Sequence, residues 1–110
     1  MAKRVLVTGC CGYLGRLLTA RLLEHPLVAR VVGVDAAAPR LPAHQKLHTV
    51  ATDIRAEYIL RSVLEEEAVD TVFHMAFLNA EHADDVRARE TNVHGTIVLL
   101  EAADKSPRVQ

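Results

Sequence analysis

Thr8-Gly9-Cys10-Cys11-Gly12-Tyr13-Leu14-Gly15 places a glycine at every third position of one short segment. That spacing suits a turn that grips a pyrophosphate. Gly9 permits the tight turn, Gly12 lets backbone amides approach the anion with no side chain in the way, and Gly15 lets a following helix pack close to a sheet. The anion then rests on the free N–H groups and positive dipole end of that helix, which makes Gly9, Gly12, Tyr13, Leu14 and Gly15 the candidate contacts. Twenty residues beyond Gly15 stands Asp35, a carboxylate able to accept hydrogen bonds from an adenosine ribose diol. A carboxylate there repels a 2′-phosphate, so the expected cofactor is NAD rather than NADP. Arg40 in the next loop is the one residue that argues the other way.

The elements that must hold these groups are legible along the chain. Lys3 to Thr8 is a short apolar, β-branched run without polar alternation, as a strand buried on both faces requires. From Tyr13 to Glu24, Leu14, Leu17, Leu18 and Leu22 recur at helical spacing until Pro26 stops the pattern. Val31 to Asp35 reads as a second strand, Ala36 to Gln45 as an exposed loop, and Leu47 to Ala51 as a weaker third strand. The span 55–67 reads as a helix with Ile59, Leu60, Val63 and Leu64 on one side, and Thr71 to Ala76 as a fourth strand. A last helix is expected from Ala83 to Lys105 on an apolar stripe of Val86, Val93, Ile97 and Leu100, with Asp84 and Asp85 at its start, where the dipole favours anions. Alternating strands and helices mean right-handed crossovers and a parallel sheet between helix layers. The fold class is therefore α/β, a Rossmann-type doubly wound parallel sheet of about four strands.

Length and composition narrow the function classes. The 110 residues are enough for one domain, and with half of them apolar and a quarter charged a packed core is expected rather than a disordered chain. Thirteen Lys and Arg against fourteen Asp and Glu leave a net charge of −1, so no global field draws the chain to nucleic acid or anionic lipid. No apolar stretch approaches the ~20 residues needed to cross a bilayer. Two adjacent cysteines make no disulfide framework, and with no secretory signal the expected location is the cytoplasm. The chain stops after a helix whose natural continuation is another strand, which leads us to expect residues 1–110 to be the N-terminal portion of a longer NAD-binding domain.

Five segments taken in order resemble the extended short-chain dehydrogenase/reductase family, in its NAD-dependent epimerase/dehydratase branch of UDP-galactose 4-epimerase-like proteins. Thr8 to Gly15 fits that family's TGxxGxxG. Asp53-Ile54 matches the Asp-plus-aliphatic pair that in the family holds the adenine amino group and covers its ring. His74-Met75-Ala76 is similar to its HxAA, with Phe77 in place of the last alanine, and the resemblance implies Ala76 in the wall of the ribose and nicotinamide site. Asn92-Val93-His94-Gly95-Thr96 matches NxxGT, and Leu99 to Ala103 continues in the family manner. For Asn92 the resemblance implies a helix irregularity near the nicotinamide that supports a proton-relay water.

The resemblance also implies a catalytic Tyr-xxx-Lys pair, in which the tyrosinate serves as base. Neither Tyr13 nor Tyr58 begins such a pair, since Ser62 stands at the lysine offset from Tyr58. No catalytic residue is assigned here, and the 110 residues alone are expected to be inactive. The expected role is the NAD-binding part of a sugar-nucleotide epimerase, dehydratase or related dehydrogenase, acting on a nucleotide-sugar or other small molecule and compatible with a homo-oligomer. The alternative is a noncatalytic NAD(P)-sensing module of the atypical short-chain type. A phosphoacceptor signalling domain is disfavoured because Thr8-Gly9 stands where that fold needs clustered acids.

Other reactive side chains have plain readings. Cys10 and Cys11 lie beside a helix N-terminus, which can activate a thiol, but small side chains are also what a crowded turn tolerates. His44 and His48 cross from loop to strand rather than sharing a helix face, so no metal site is assigned. His74 is expected to pack at a strand end, Glu65 to Glu67 to form a solvated helix end, and Glu81, Asp84 and Asp85 to begin the last helix.

Overall fold

The computed structural model describes residues 2–38, 40–77 and 86–109. Its elements run β1 (Lys3–Thr8), α1 (Tyr13–Glu24), β2 (Val28–Asp35), β3 (Leu47–Ala51), α2 (Glu57–Glu66), β4 (Thr71–His74), α3 (Val86–Arg89), a π-helical turn (Glu90–His94) and α4 (Gly95–Asp104). The four strands form one sheet in the order β3-β2-β1-β4. Every pairing is parallel, with Val5 beside Val31 and Thr71, and Val32 beside His48. Strand order reverses at β1, so the carboxyl ends of β1, β2 and β4 surround the crevice in which open α/β sheets bind ligands.

Both faces of the sheet are covered, which explains the unbroken apolar strands. Leu6, Val32 and Val34 point to one side and pack with Ile54, Leu60, Leu64, Val98, Leu99 and Ala102. Val5, Val7 and Val31 point to the other and meet Leu18, Leu22 and Leu23 of α1. Each fully buried leucine contributes about 1.5–3 kcal/mol relative to its exposed state.

Several boundaries and faces differ from the sequence expectation. β2 begins at Val28 because Lys3 N–H reaches back to the Leu27 carbonyl and strand pairing follows at once. β4 ends at His74, since the amides of Met75 and Ala76 turn to the Thr8 side chain. α2 begins at Glu57, because Asp53 Oδ1 accepts the Arg55 amide at 2.8 Å and holds 53–56 as a turn. In α1, Leu14 and Leu17 are exposed and Thr19 is buried. The stripe of Val86, Val93, Ile97 and Leu100 faces outward, while Ala88, Val98, Leu99 and Ala102 form the buried side. The π-helical turn makes the last helix irregular, and small residues are what the close approach of α4 to α2 and to Ile54 admits: a Cβ on Gly95 would stand 2.5 Å from Ile54 Cγ2. Glu81, Asp84 and Asp85 lie outside the described residues.

Glu67 is also no solvated helix end. Its carboxylate meets Arg30 Nε at 2.8 Å and His48 Nδ1 at 3.0 Å, its carbonyl accepts Arg4 Nε at 2.6 Å, and so it ties three strands together at their amino ends. Arg30 foremost, and then His48, hold its carboxyl below the usual carboxylate range.

Candidate functional site

The turn from β1 into α1 is built by its glycines. Gly9 has φ +67°, the left-handed region that favours glycine, and a Cβ there would stand 2.7 Å from the backbone of Ala76. A Cβ on Gly15 would run into the carbonyl of Gly9. Gly15 therefore serves the loop's own closure more directly than helix–sheet packing. Gly12 differs from both: a Cβ there would make only an ordinary 3.4 Å contact with the Gly9 oxygen, and the residue is exposed. Gly12 caps α1 with no side-chain hydrogen bond, leaving the first-turn amides that include those of Tyr13 and Leu14 without a capping side chain.

Asp35 is tied directly to this loop. Its Oδ2 accepts the Cys11 amide at 3.0 Å and its Oδ1 the Ala37 amide at 3.1 Å, which fixes the carboxylate at the mouth of the turn. Together with Thr8, Gly9, Gly12, Asp53, Ile54 and Ala76 it lines a groove of about 340 Å³ at the carboxyl ends of the strands. The groove thus gathers Gly9, Gly12, Asp35, Asp53, Ile54 and Ala76 from four separate segments of sequence. Tyr13 and Leu14 are exposed beside it, Gly15 is buried beneath the loop, and Asn92 lies in the π-helical turn whose Thr91 reaches the groove.

Beside Asp35, whose carbonyl accepts the Thr52 amide at 2.9 Å, Asp53 pairs with Arg55, whose Nη2 stands 2.7 Å from Oδ2 and whose Nη1 reaches Glu90 Oε2 at 3.0 Å. The Arg55 side chain and amide hold the Asp53 carboxyl below its ordinary range. Ile54 is only 6% exposed, so most of its side chain serves the core and only its margin reaches the groove. Arg55 is a site residue that motif and spacing did not single out; an arginine two residues after a loop aspartate was the available signal.

Beneath the groove runs a polar connection that sequence reasoning also missed. Thr8 Oγ1 accepts the amides of Met75 at 3.0 Å and Ala76 at 3.1 Å and stands 2.7 Å from His74 Nδ1. His74 Nε2 lies 2.8 Å from Thr96 Oγ1, which donates in turn to the Asn92 carbonyl at 2.5 Å. His74 thus does more than fill space at a strand end. Of the cysteines, Cys10 is buried, and burial followed by the neighbouring Cys11 pushes its thiol up to about 12, against the activation that a helix terminus alone would give. His44 and His48 are engaged separately, His44 with the Lys46 amide and His48 with Glu67. No helix among the described residues is long and apolar enough to cross a membrane.

Comparison with known proteins places this geometry. An uncharacterized protein of Mycobacterium tuberculosis is 39% identical over 113 residues, covering 98% of this chain and 30% of that protein. A 3 beta-hydroxysteroid dehydrogenase/Delta 5-->4-isomerase of the same species is 34% identical over 110 residues, covering 94% of this chain and 29% of its own length. Among solved structures, the Bordetella bronchiseptica enzyme WbmH in complex with NAD+ superposes with a TM-score of 0.83 at 29% identity, over 96% of this chain and 36% of that one. The epimerase Mth375 of Methanothermobacter thermautotrophicus gives 0.82 at 30% identity, over 96% of this chain and 33% of that one. The chain spans about a third of the length of these relatives. The model of the NAD dependent epimerase/dehydratase family matches residues 5–110. A glycine loop closed on its own carbonyl, an aspartate bonded across to it, and a family match over nearly the whole chain lead to one conclusion: this chain belongs to the NAD-dependent epimerase/dehydratase family.

Proposed function

We propose that the chain is the NAD-binding part of an enzyme that exchanges hydride with a secondary alcohol, such as a sugar-nucleotide epimerase or dehydratase or a related dehydrogenase. The observation that carries this reading is the Cys11 amide to Asp35 bond, which sets a ribose-binding carboxylate beside an uncapped helix terminus. The residues fit the dinucleotide: glycines keep the loop low, the first-turn amides of α1 receive the pyrophosphate, and Asp35 accepts the adenosine ribose hydroxyls. Asp53 and the margin of Ile54 receive the adenine, and Ala76 contributes to the wall of the far ribose. Asn92 supports the site through the helix irregularity that carries it. The bound nicotinamide supplies the hydride acceptor; this chain binds and orients it.

The substrate class is supported by likeness of chemistry among the relatives. The 3 beta-hydroxysteroid dehydrogenase of Mycobacterium tuberculosis and the L-threonine dehydrogenase of Clostridium difficile take dissimilar molecules, yet each molecule carries a secondary alcohol. A nucleotide-sugar is the leading candidate for the whole protein, supported by the similar Bordetella bronchiseptica enzyme WbmG, whose structure holds NAD and UDP. The choice of NAD over NADP rests on Asp35, whose charge opposes a 2′-phosphate. Titration calorimetry with both cofactors tests the reading: NAD should bind more tightly than NADP, and Asp35→Ala should weaken NAD. Tighter NADP binding, or no loss in the variant, overturns it.

A further inference from the structure

The structure brings together three ligand-bearing side chains that no family motif combines. The sulfurs of Cys10 and Cys11 and a carboxylate oxygen of Asp35 all lie within 4.8 Å of one another. We propose that these three residues form a site for one thiophilic divalent cation of the zinc or cadmium class, and that the cation competes with the dinucleotide for Asp35.

The fold itself creates the cluster. Neighbouring side chains on a strand point to opposite faces, but the turn that begins with Gly9 in its left-handed conformation breaks that alternation and lets consecutive cysteines converge. Space for the Cys10 sulfur comes from Gly33 on β2, where a Cβ would stand 2.9 Å from Sγ. The third ligand is held in register by the Cys11 amide on Asp35 Oδ2 at 3.0 Å. Each Asp35 oxygen accepts one amide and keeps a further lone pair for a cation. Ligand atoms around a tetrahedral zinc stand roughly 3 to 4 Å apart, so the cluster stands within about an ångström or two of that spacing.

Two thiolates and one carboxylate suit a borderline-soft cation, with a fourth position left for water. Cys11 lines both the groove and the adjoining cleft of Arg16 and Arg40, which gives the cation a path from solvent. A coordinated thiol loses its proton to the metal's charge, so the buried Cys10 sulfur needs no prior ionisation. Competition rests on the reading of Asp35 as the ribose acceptor, because one carboxylate cannot serve both partners in full.

The test is a cadmium titration of the reduced, cation-free chain. A cadmium–thiolate charge-transfer band should grow to saturation at one cation per chain, with two sulfurs counted by X-ray absorption. Cys11→Ser should lose the two-sulfur signature while keeping the circular dichroism of the fold, and Asp35→Asn should weaken cadmium by about tenfold or more. Cadmium bound without sulfur, a band unchanged in Cys11→Ser, or one cation per two chains overturns the site. With cadmium at about ten times its dissociation constant, the apparent dissociation constant for NAD should rise about elevenfold, and should not rise in Cys11→Ser. Failure of NAD to bind the cation-free chain sinks the cofactor reading, while the cadmium band still decides the cation site by itself; unchanged NAD affinity beside a full band refutes the competition.

Discussion

His74 accepts a hydrogen bond from Thr8 and donates one to Thr96, with Nδ1 2.7 Å from the first hydroxyl and Nε2 2.8 Å from the second. The direction follows from the donors around Thr8. Its oxygen already accepts two backbone N–H groups, from Met75 and Ala76, so its hydroxyl proton is the one left to give. The imidazole is therefore neutral with its proton on Nε2, and the Thr96 hydroxyl passes the sequence on to the Asn92 carbonyl. One ring thereby couples the strand that starts the glycine loop to the π-helical turn.

This arrangement predicts a specific acid sensitivity. Burial pushes His74 below its ordinary value of 6.5, so on acidification the unfolded chain takes up the proton before the folded chain does. Stability should be complete above about pH 6.5 and fall as pH drops through the window beneath it. Glu67, held below its ordinary 4.5 by its basic partners, should add a second decline starting under that value. Urea denaturation from about pH 7.5 down to about pH 3.5 measures both, the limits being roughly one pH unit outside the two ordinary values. His74→Gln should flatten the upper decline and Glu67→Gln the lower; an upper slope unchanged in His74→Gln refutes the assignment.

The glycines should separate into structural and ligand-facing positions. Gly9→Ala forces a left-handed alanine against the Ala76 backbone and should destabilise the fold by about 1–2 kcal/mol or more. Gly15→Ala should cost about 1–3 kcal/mol through its collision with the Gly9 carbonyl. Gly12→Ala meets nothing closer than 3.4 Å among the described residues, so it should leave the denaturation midpoint nearly unchanged and reduce NAD binding. Equal losses of stability across the three would remove the distinction.

Removing the Asp35 carboxylate should weaken NAD by about tenfold to a hundredfold, the scale of hydrogen bonds to a charged group. Discrimination against NADP should narrow in the same variant, since the charge that repels a 2′-phosphate is gone. Calorimetric titration with each cofactor provides both numbers.

One residue beyond Thr52, whose amide bonds the Asp35 carbonyl, Asp53→Ala should weaken NAD while leaving nicotinamide mononucleotide nearly untouched. Arg55→Ala should do the same to a smaller degree, because it frees the Asp53 side chain from the pairing that orients it. Loss of mononucleotide binding in either variant would contradict an adenine role.

Thr19 offers a test of packing away from the groove. Its hydroxyl is buried in α1 with no hydrogen-bond partner among the described residues. Thr19→Val keeps the shape and removes the unmet polar group, and should raise stability by roughly 1 kcal/mol. Thermal unfolding should shift upward by about 4 to 8 °C in a domain of this size.

The elements and the glycine loop were legible in the sequence because their causes are local. An apolar β-branched run, a glycine at each crowded or left-handed position and a proline after α1 act within a few residues, and β1, α1 and β3 appear with the boundaries that reasoning assigns. The placement of Asp35 was legible for the same reason, as the end of an apolar run.

What escaped were relationships between distant residues of types that have many uses. Thr8 and His74 are 66 positions apart, Cys11 and Asp35 are 24 apart, and Arg55 and Glu90 are 35 apart. An exposed apolar stripe on the last helix looks no different in sequence from a buried one until the π-helical turn and the small residues against α2 select the side that packs. The sequence by itself determined which segments become strand, loop and helix and where glycines stand in the first loop. Only the tertiary structure decided which face of each helix is buried, that Glu67 joins three strands, and that two cysteines meet a carboxylate, because long-range packing and hydrogen-bond satisfaction choose among partners that local preference leaves equivalent.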